Sequence, residues 1–150
     1  ASSYGMKLIK MNVYDSNNPI LNSASTAVFK FIPVPFTSLD FELNEDSAVL
    51  FQWYFGDCAG EFSVKVDTKI QETQPALCGV LLENLTPDCK FDFASNAFIK
   101  SVAYLKKGRH TVTLLWRTYK TTAYQIQGPV ISEVFKMDPA ICTFINPKVQ

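Results

Sequence analysis

Several chemistries are ruled out by what this 150-residue chain lacks. Neither sign of charge predominates, since 14 Lys and Arg balance 14 Asp and Glu, and no basic run exceeds Lys106-Lys107. The electrostatic footprint of a nucleic-acid-binding surface is therefore missing. No apolar run approaches the roughly 18 residues of a membrane-spanning helix. The longest, Ala48 to Gly56, is already broken by Gln52. Neither G-x-x-x-x-G-K nor G-x-G-x-x-G occurs, so nucleotide binding has no support. The one histidine, His110, lies far from any ligand-like spacing, and the four cysteines include no C-x-x-C, which leaves zinc without a ligand set. No metal and no cofactor is expected. Charged residues make up only 19% of the chain while Phe, Val, Thr and Tyr are plentiful, a balance that favours strands and opposes disorder.

A chain of this length is expected to be one domain, residues 1–150, burying roughly two-thirds of its unfolded surface in a single core. Its most legible stretch is Ser101 to Arg117, which reads as two strands and a tight turn. Val102 and Tyr104 alternate with Ser101 and Ala103, Lys106-Lys107-Gly108 interrupts, and a second alternation follows. In it His110, Val112, Leu114 and Trp116 share one face, and Arg109, Thr111, Thr113 and Arg117 the other. Gly108 supplies the positive φ that such a turn needs. A strand with one apolar face must bury it against a second sheet, so this predicted hairpin implies a sandwich or closed barrel.

The remainder agrees. Met6 to Tyr14 reads as a first strand, with Ile9, Met11 and Val13 alternating against Leu8, Lys10 and Asn12, and Asp15 to Pro19 ends it. Ala27 to Ile32 reads as a second, followed by Pro33-Val34-Pro35, which cannot occupy a central ladder. Leu39, Phe41 and Leu43 alternate with Asp40 and Glu42. Ala48 to Phe55 is apolar on both faces, the pattern of a central strand or one whose second face meets another subunit. Gly56 to Gly60 is predicted to turn the chain into a strand at Phe62, Val64 and Val66. Leu77 and Val80 to Leu82 suggest a short addition, Phe91 to Ala94 and Phe98 to Tyr104 lead into the hairpin, and Thr118 to Thr122 is a polar loop. Ala123 to Ile126 and, past Gly128-Pro129, Val130 to Met137 are the last strands. Eight to ten strands with no helix predict an all-β, two-sheet antiparallel jelly-roll sandwich.

Cys58, Cys78, Cys89 and Cys142 are expected to form two disulfides in an oxidising compartment, with free buried thiols as the alternative. Of three pairings, Cys78 with Cys89 is favoured because Pro75 and Pro87 bracket a turn-rich segment, leaving Cys58 for Cys142. Residues 137–150 then read as a tail pinned by its cysteine. Asn84-Leu85-Thr86 is a formal glycosylation sequon, but Pro87 follows it directly and a plain turn is the better reading. A first residue Ala1 fits a mature product after leader removal and equally a trimmed chain.

The order Val49 to Phe55, Val64-Lys65-Val66-Asp67, Ser101 to Arg117, Thr118 to Tyr124 and Val130 to Phe135 resembles C1q/TNF-like jelly rolls, especially the heads of viral, phage and bacterial fibres. The resemblance covers roughly residues 37 to 137. Thr68 stands where a turn glycine often follows the aspartate, the Cys78 to Cys89 segment is an insertion, and the cysteine-bearing tail lies outside the pattern. The resemblance implies a jelly roll and usually a homotrimer, and it implies no catalytic residues.

Candidate sites follow from the residues themselves. His110 reads as a strand-end histidine hydrogen-bonded inside the sandwich, because no Ser or Cys nucleophile with an orienting carboxylate is spaced around it. Asp40 and Glu42 fall on a solvated face and Glu45 and Asp46 in a turn, with a modest calcium site as the alternative. Arg117, Tyr119 and Tyr124, around the Thr-rich loop, are the candidate ligand or partner site, and Trp53 and Tyr54 the candidate subunit interface. The expected function is a non-enzymatic extracellular, secreted or virion-surface module. It would self-associate, with a cell-surface glycan or protein receptor as a further partner. A secreted carbohydrate-binding module is the alternative.

Overall fold

The structure, a computed structural model, describes residues 5–15, 20–22, 31–59, 61–70, 73–77, 80–83, 94–95, 98–117 and 124–137. Its strands in chain order are β1 (Met6–Tyr14), β2 (Ile20–Asn22), β3 (Ile32–Pro33), β4 (Leu39–Leu43), β5 (Ser47–Ala59), β6 (Glu61–Val66) and β7 (Lys69–Ile70). They continue as β8 (Thr73–Leu77), β9 (Val80–Glu83), β10 (Ala94–Ser95), β11 (Phe98–Leu105), β12 (Gly108–Arg117) and β13 (Tyr124–Met137). Among the described residues there is no helix long and apolar enough to cross a membrane.

Two antiparallel sheets pack face to face. The first runs β1-β13-β5, with β10 and β11 both paired to β5 and β2 paired to the early part of β13. The second runs β3-β12-β6-β7, with β4 also paired to β12. The β8–β9 hairpin stands apart from both ladders and lies against β11. Strict alternation builds the core between the sheets. Val49, Phe51, Trp53 and Phe55 face inward from the first sheet. Leu39, Phe41 and Leu43, then Phe62, Val64 and Val66, then Val112, Leu114 and Trp116 face inward from the second, all under 7% exposed. Phe41 and Phe51 meet across the gap with ring centroids 5.8 Å apart, and Phe55 stacks on Phe62 at 5.5 Å.

Three expectations change here. First, the stretch from Ser101 to Arg117 is not a hairpin: β11 pairs with β5 in the first sheet, and β12 pairs with β3, β4 and β6 in the second. The turn at Lys106-Lys107 carries the chain across the edge of the sandwich, and Gly108, at φ 131°, allows the corner. Local sequence announces the turn but not which ladder the next strand joins. Second, Gly56 does not end a strand, since β5 continues to Ala59. Third, Tyr124 to Met137 is one strand interrupted by a bulge. Its register against β5 jumps from Gln127↔Asp57 to Val130↔Phe55, so one extra residue is accommodated at Gly128-Pro129. Pro129 has no ladder donor to lose there. Gly56 and Gly128 touch at this point. A Cβ on Gly56 would lie 2.8 Å from the Gln127 carbonyl oxygen, and one on Gly128 would lie 3.0 Å from Gly56 Cα.

Candidate functional site

Two features of the described surface could carry function: a polar cleft around His110 and the outer face of the first sheet.

The cleft, about 720 Å³, is lined by Ile9 and Lys10 of β1, Asp40, Phe41 and Glu42 of β4, Asp67, and Arg109, His110 and Thr111 of β12. His110 turns inward beside Phe41, and its side chain is only 12% exposed. Nδ1 donates to Asp67 Oδ2 at 2.8 Å, and Nε2 donates to the Lys106 carbonyl at 2.7 Å. A carbonyl and a carboxylate can only accept, so both ring nitrogens must carry hydrogen and the geometry is that of an imidazolium. Burial works against the charged ring. The Asp67 hydrogen bond, the Lys106 carbonyl and the Asp67 charge outweigh it and hold the pKa above the ordinary 6.5.

Asp67 ties this arrangement together. Its backbone is left-handed, φ 54°, a conformation that Asp tolerates better than most residues. Its N–H donates to the Thr111 carbonyl at 2.7 Å, and the Thr111 N–H donates back to Asp67 Oδ1 at 2.9 Å. At the far side of the corner Asp46 accepts the Lys107 N–H at 2.8 Å, and that backbone bond, with help from Lys106, lowers its pKa against the opposing effect of burial. Chemically the assembly is a fastener: with both nitrogens donating, His110 has no lone pair to offer as a base. The nearby carboxylates are also engaged. Asp40 accepts the Thr111 hydroxyl at 2.6 Å, Glu42 approaches Arg109 at 3.9 Å, and Glu45 accepts from Lys136. Among the described residues no three His, Cys, Asp or Glu side chains converge as a metal would require.

The outer face of the first sheet is different in kind. Cross-strand pairing sets out rows running from β1 through β13 and β5 to β11. One row is Leu8, Phe135, Leu50 and Val102; the next is Met11, Glu133, Gln52 and Lys100; a third contains Val13, Ile131 and Tyr54. Met6, Leu8, Met11 and Val13 are 43–51% exposed, and Tyr54 and Tyr104 are exposed as well. Glu133 is the half-buried acid amid these apolar neighbours, and burial pushes its pKa up. The signal for this face was present in β1 but misaligned. Plain alternation groups Ile9 with Met11 and Val13. A bulge at Ile9, between Leu8↔Phe135 and Lys10↔Val134, instead puts Leu8 with Met11 and Val13 and turns Ile9 toward the core.

No family model matches the chain, and no curated protein does. Among solved structures, a Paenibacillus sp. cycloisomaltooligosaccharide glucanotransferase complexed with cycloisomaltoheptaose aligns at 12% identity and TM-score 0.28, over 84% of this chain and 18% of that one. A Bacillus thuringiensis Cry1Da tryptic core variant aligns at 12% identity and TM-score 0.31, over 91% of this chain and 21% of that one. The chain thus spans about a fifth of each neighbour.

The sequence-predicted residues distribute as follows. Trp53 is not available to a partner subunit: it is fully buried in this chain's own core, because alternation along β5 turns it inward, and its indole Nε1 donates to the Thr37 carbonyl at 3.1 Å. Tyr54 is on the outer face, 37% exposed, with its hydroxyl donating to Gln52 Oε1 at 3.3 Å. Arg117 ends β12 and Tyr124 begins β13, while Tyr119 and the side chains of all three lie outside the described residues. So do Cys78, Cys89 and Cys142; Cys58 is placed only as backbone in β5.

Proposed function

We propose that this chain is a non-enzymatic structural subunit that assembles with copies of itself, as a trimer, through the outer face of its first sheet. Exposure of Met6, Leu8, Met11 and Val13 on β1, with Tyr54 on β5 and Tyr104 on β11, is the observation that carries the reading. The middle of that face is covered within the chain itself, with Leu50, Gln52 and Val102 buried, so the exposed apolar side chains form a strip along β1 and a second group at Tyr54 and Tyr104. The resemblance to trimeric fibre heads supports the copy number and an extracellular, secreted or virion-surface setting, where a glycan or protein receptor would be the further partner.

Light scattering tests the proposal. The expected mass is three protomers, falling to one in Leu8→Lys/Met11→Lys, and a wild-type monomer at high concentration would overturn it. Repeating the measurement with reductant reads whether the cysteines contribute.

A further inference from the structure

The turn Val34-Pro35-Phe36-Thr37 breaks a local rule. With proline in its second position and φ 66° in its third, it has the form that normally takes Gly or Asn at the third residue. Here that residue is Phe36, a bulky side chain in a left-handed backbone. The core dictates the conformation. Val34 and Thr37 are fully buried, the Val34 N–H donates to the Leu114 carbonyl at 2.8 Å, the Thr37 hydroxyl donates to the Val34 carbonyl at 2.7 Å, and the Trp53 indole holds the Thr37 carbonyl. A glycine would satisfy every one of these contacts. The phenyl ring takes part in none of those bonds and packs instead on Tyr14, and strain retained at such a point is a reason to look for function there.

The ring is 54% exposed and lies flat on Tyr14, with centroids 4.0 Å apart and planes 6° from parallel. A ring lying flat on its neighbour presents a face, not a tip that could plug a partner's pocket. Asn12, on the same strand as Tyr14, donates its amide Nδ2 to the Phe36 carbonyl at 3.5 Å and so carries an acceptor oxygen to the platform's edge.

We propose that Phe36, backed by Tyr14, is a stacking platform for the apolar face of a neutral sugar ring. A pyranose has a flat patch of C–H bonds surrounded by hydroxyls, which matches an aromatic face with an amide at its rim. Neither of the two rings nor the Asn12 amide carries a charge, which favours an uncharged ligand over a phosphorylated one. The site is distinct from the outer sheet face and does not depend on self-association.

The test is an amide-resonance NMR titration of the full chain with cellohexaose, maltohexaose and chitohexaose, alongside an array of neutral glycans. At least one sugar should shift the amides of residues 12–14, 34 and 36–38. Phe36→Tyr should retain the binding, and Phe36→Gly, which removes the ring while suiting the backbone, should weaken it about tenfold or more with the fold intact. Silence across the sugars, or unchanged binding by Phe36→Gly, overturns the proposal. So does a Phe36→Gly variant whose loss is of oligomer mass alone, which would assign the ring to the subunit contact.

Discussion

Replacing Trp53 with Phe isolates one buried hydrogen bond at the centre of the sandwich. The substitution keeps an aromatic ring between Phe51 and Phe55 but deletes the indole N–H, leaving the Thr37 carbonyl without that donor in a site where Thr37 itself is fully buried. An unsatisfied buried acceptor costs about 1–3 kcal/mol. Truncation of the ring adds a cavity, a fraction of the roughly 3–5 kcal/mol seen for full aromatic-to-Ala changes, so about 1 kcal/mol. The sum is about 3 kcal/mol, and at about 2–4 °C per kcal/mol for a domain of this size the melting temperature should fall by about 6–12 °C. Calorimetry at two protein concentrations is the assay. A core residue lowers the transition equally at both, whereas a residue in a subunit contact lowers it in a concentration-dependent way. A fall of less than about 3 °C, or one that appears only on dilution, would refute placing Trp53 in the core.

Three further outcomes are expected. His110 has a folded-state pKa above 6.5, so its contribution is fully present below about pH 6.5 and is lost as pH rises through the folded value; urea midpoints of wild type should decline over that range, and His110→Gln should flatten the decline. Gly56→Ala forces a Cβ against the Gln127 carbonyl and Gly128 Cα, backbone that cannot swing aside, and should destabilise by about 1–3 kcal/mol in denaturant titrations. Because burial raises the Glu133 pKa, the protonated acid is favoured on the low-pH side and a charge appears on the outer face as pH rises through that value. Self-association should therefore weaken above it, read as a higher dissociation constant in a scattering dilution series, and Glu133→Gln should remove the difference.

How far the sequence discloses this fold depends on whether a feature is local. Leu39, Phe41 and Leu43 against Asp40 and Glu42 is a two-residue period, and the structure buries the first set and exposes the second. Val112, Leu114 and Trp116 are buried as expected, but Thr113 and Leu115 on the opposite face are buried too. The Lys106-Lys107-Gly108 turn was equally legible, but its destination was not, because pairing of β12 with β4 and β6 is decided by residues 46 to 73 positions away. Bulges were invisible for a related reason. The extra residues at Ile9 and Gly128 break the alternation by which faces are assigned, and each is tolerated by what stands opposite it. The platform at Phe36 escaped notice because Pro-Phe carries no turn signal of the kind that Pro-Gly does. Its left-handed backbone is imposed by Trp53, Val34 and Leu114, all remote or buried.

The position of β13 governs how the chain can reach this state. It lies between β1 and β5, so the first of the described strands finds its described partner only in the last: Met6 pairs with Met137 and Tyr14 with Val130. Until β13 has been synthesised, β1 lacks the only ladder it joins among the described residues and one side of β5 stands open. Closing so long a loop before any contact rewards it makes folding slow. Meanwhile the apolar rows of β1 and β5 are exposed to other nascent chains, the situation in which β proteins aggregate. Completion of the first sheet is therefore a late event, and a chain ending before Tyr124 would leave both its first strand and its central one without the neighbour that joins them.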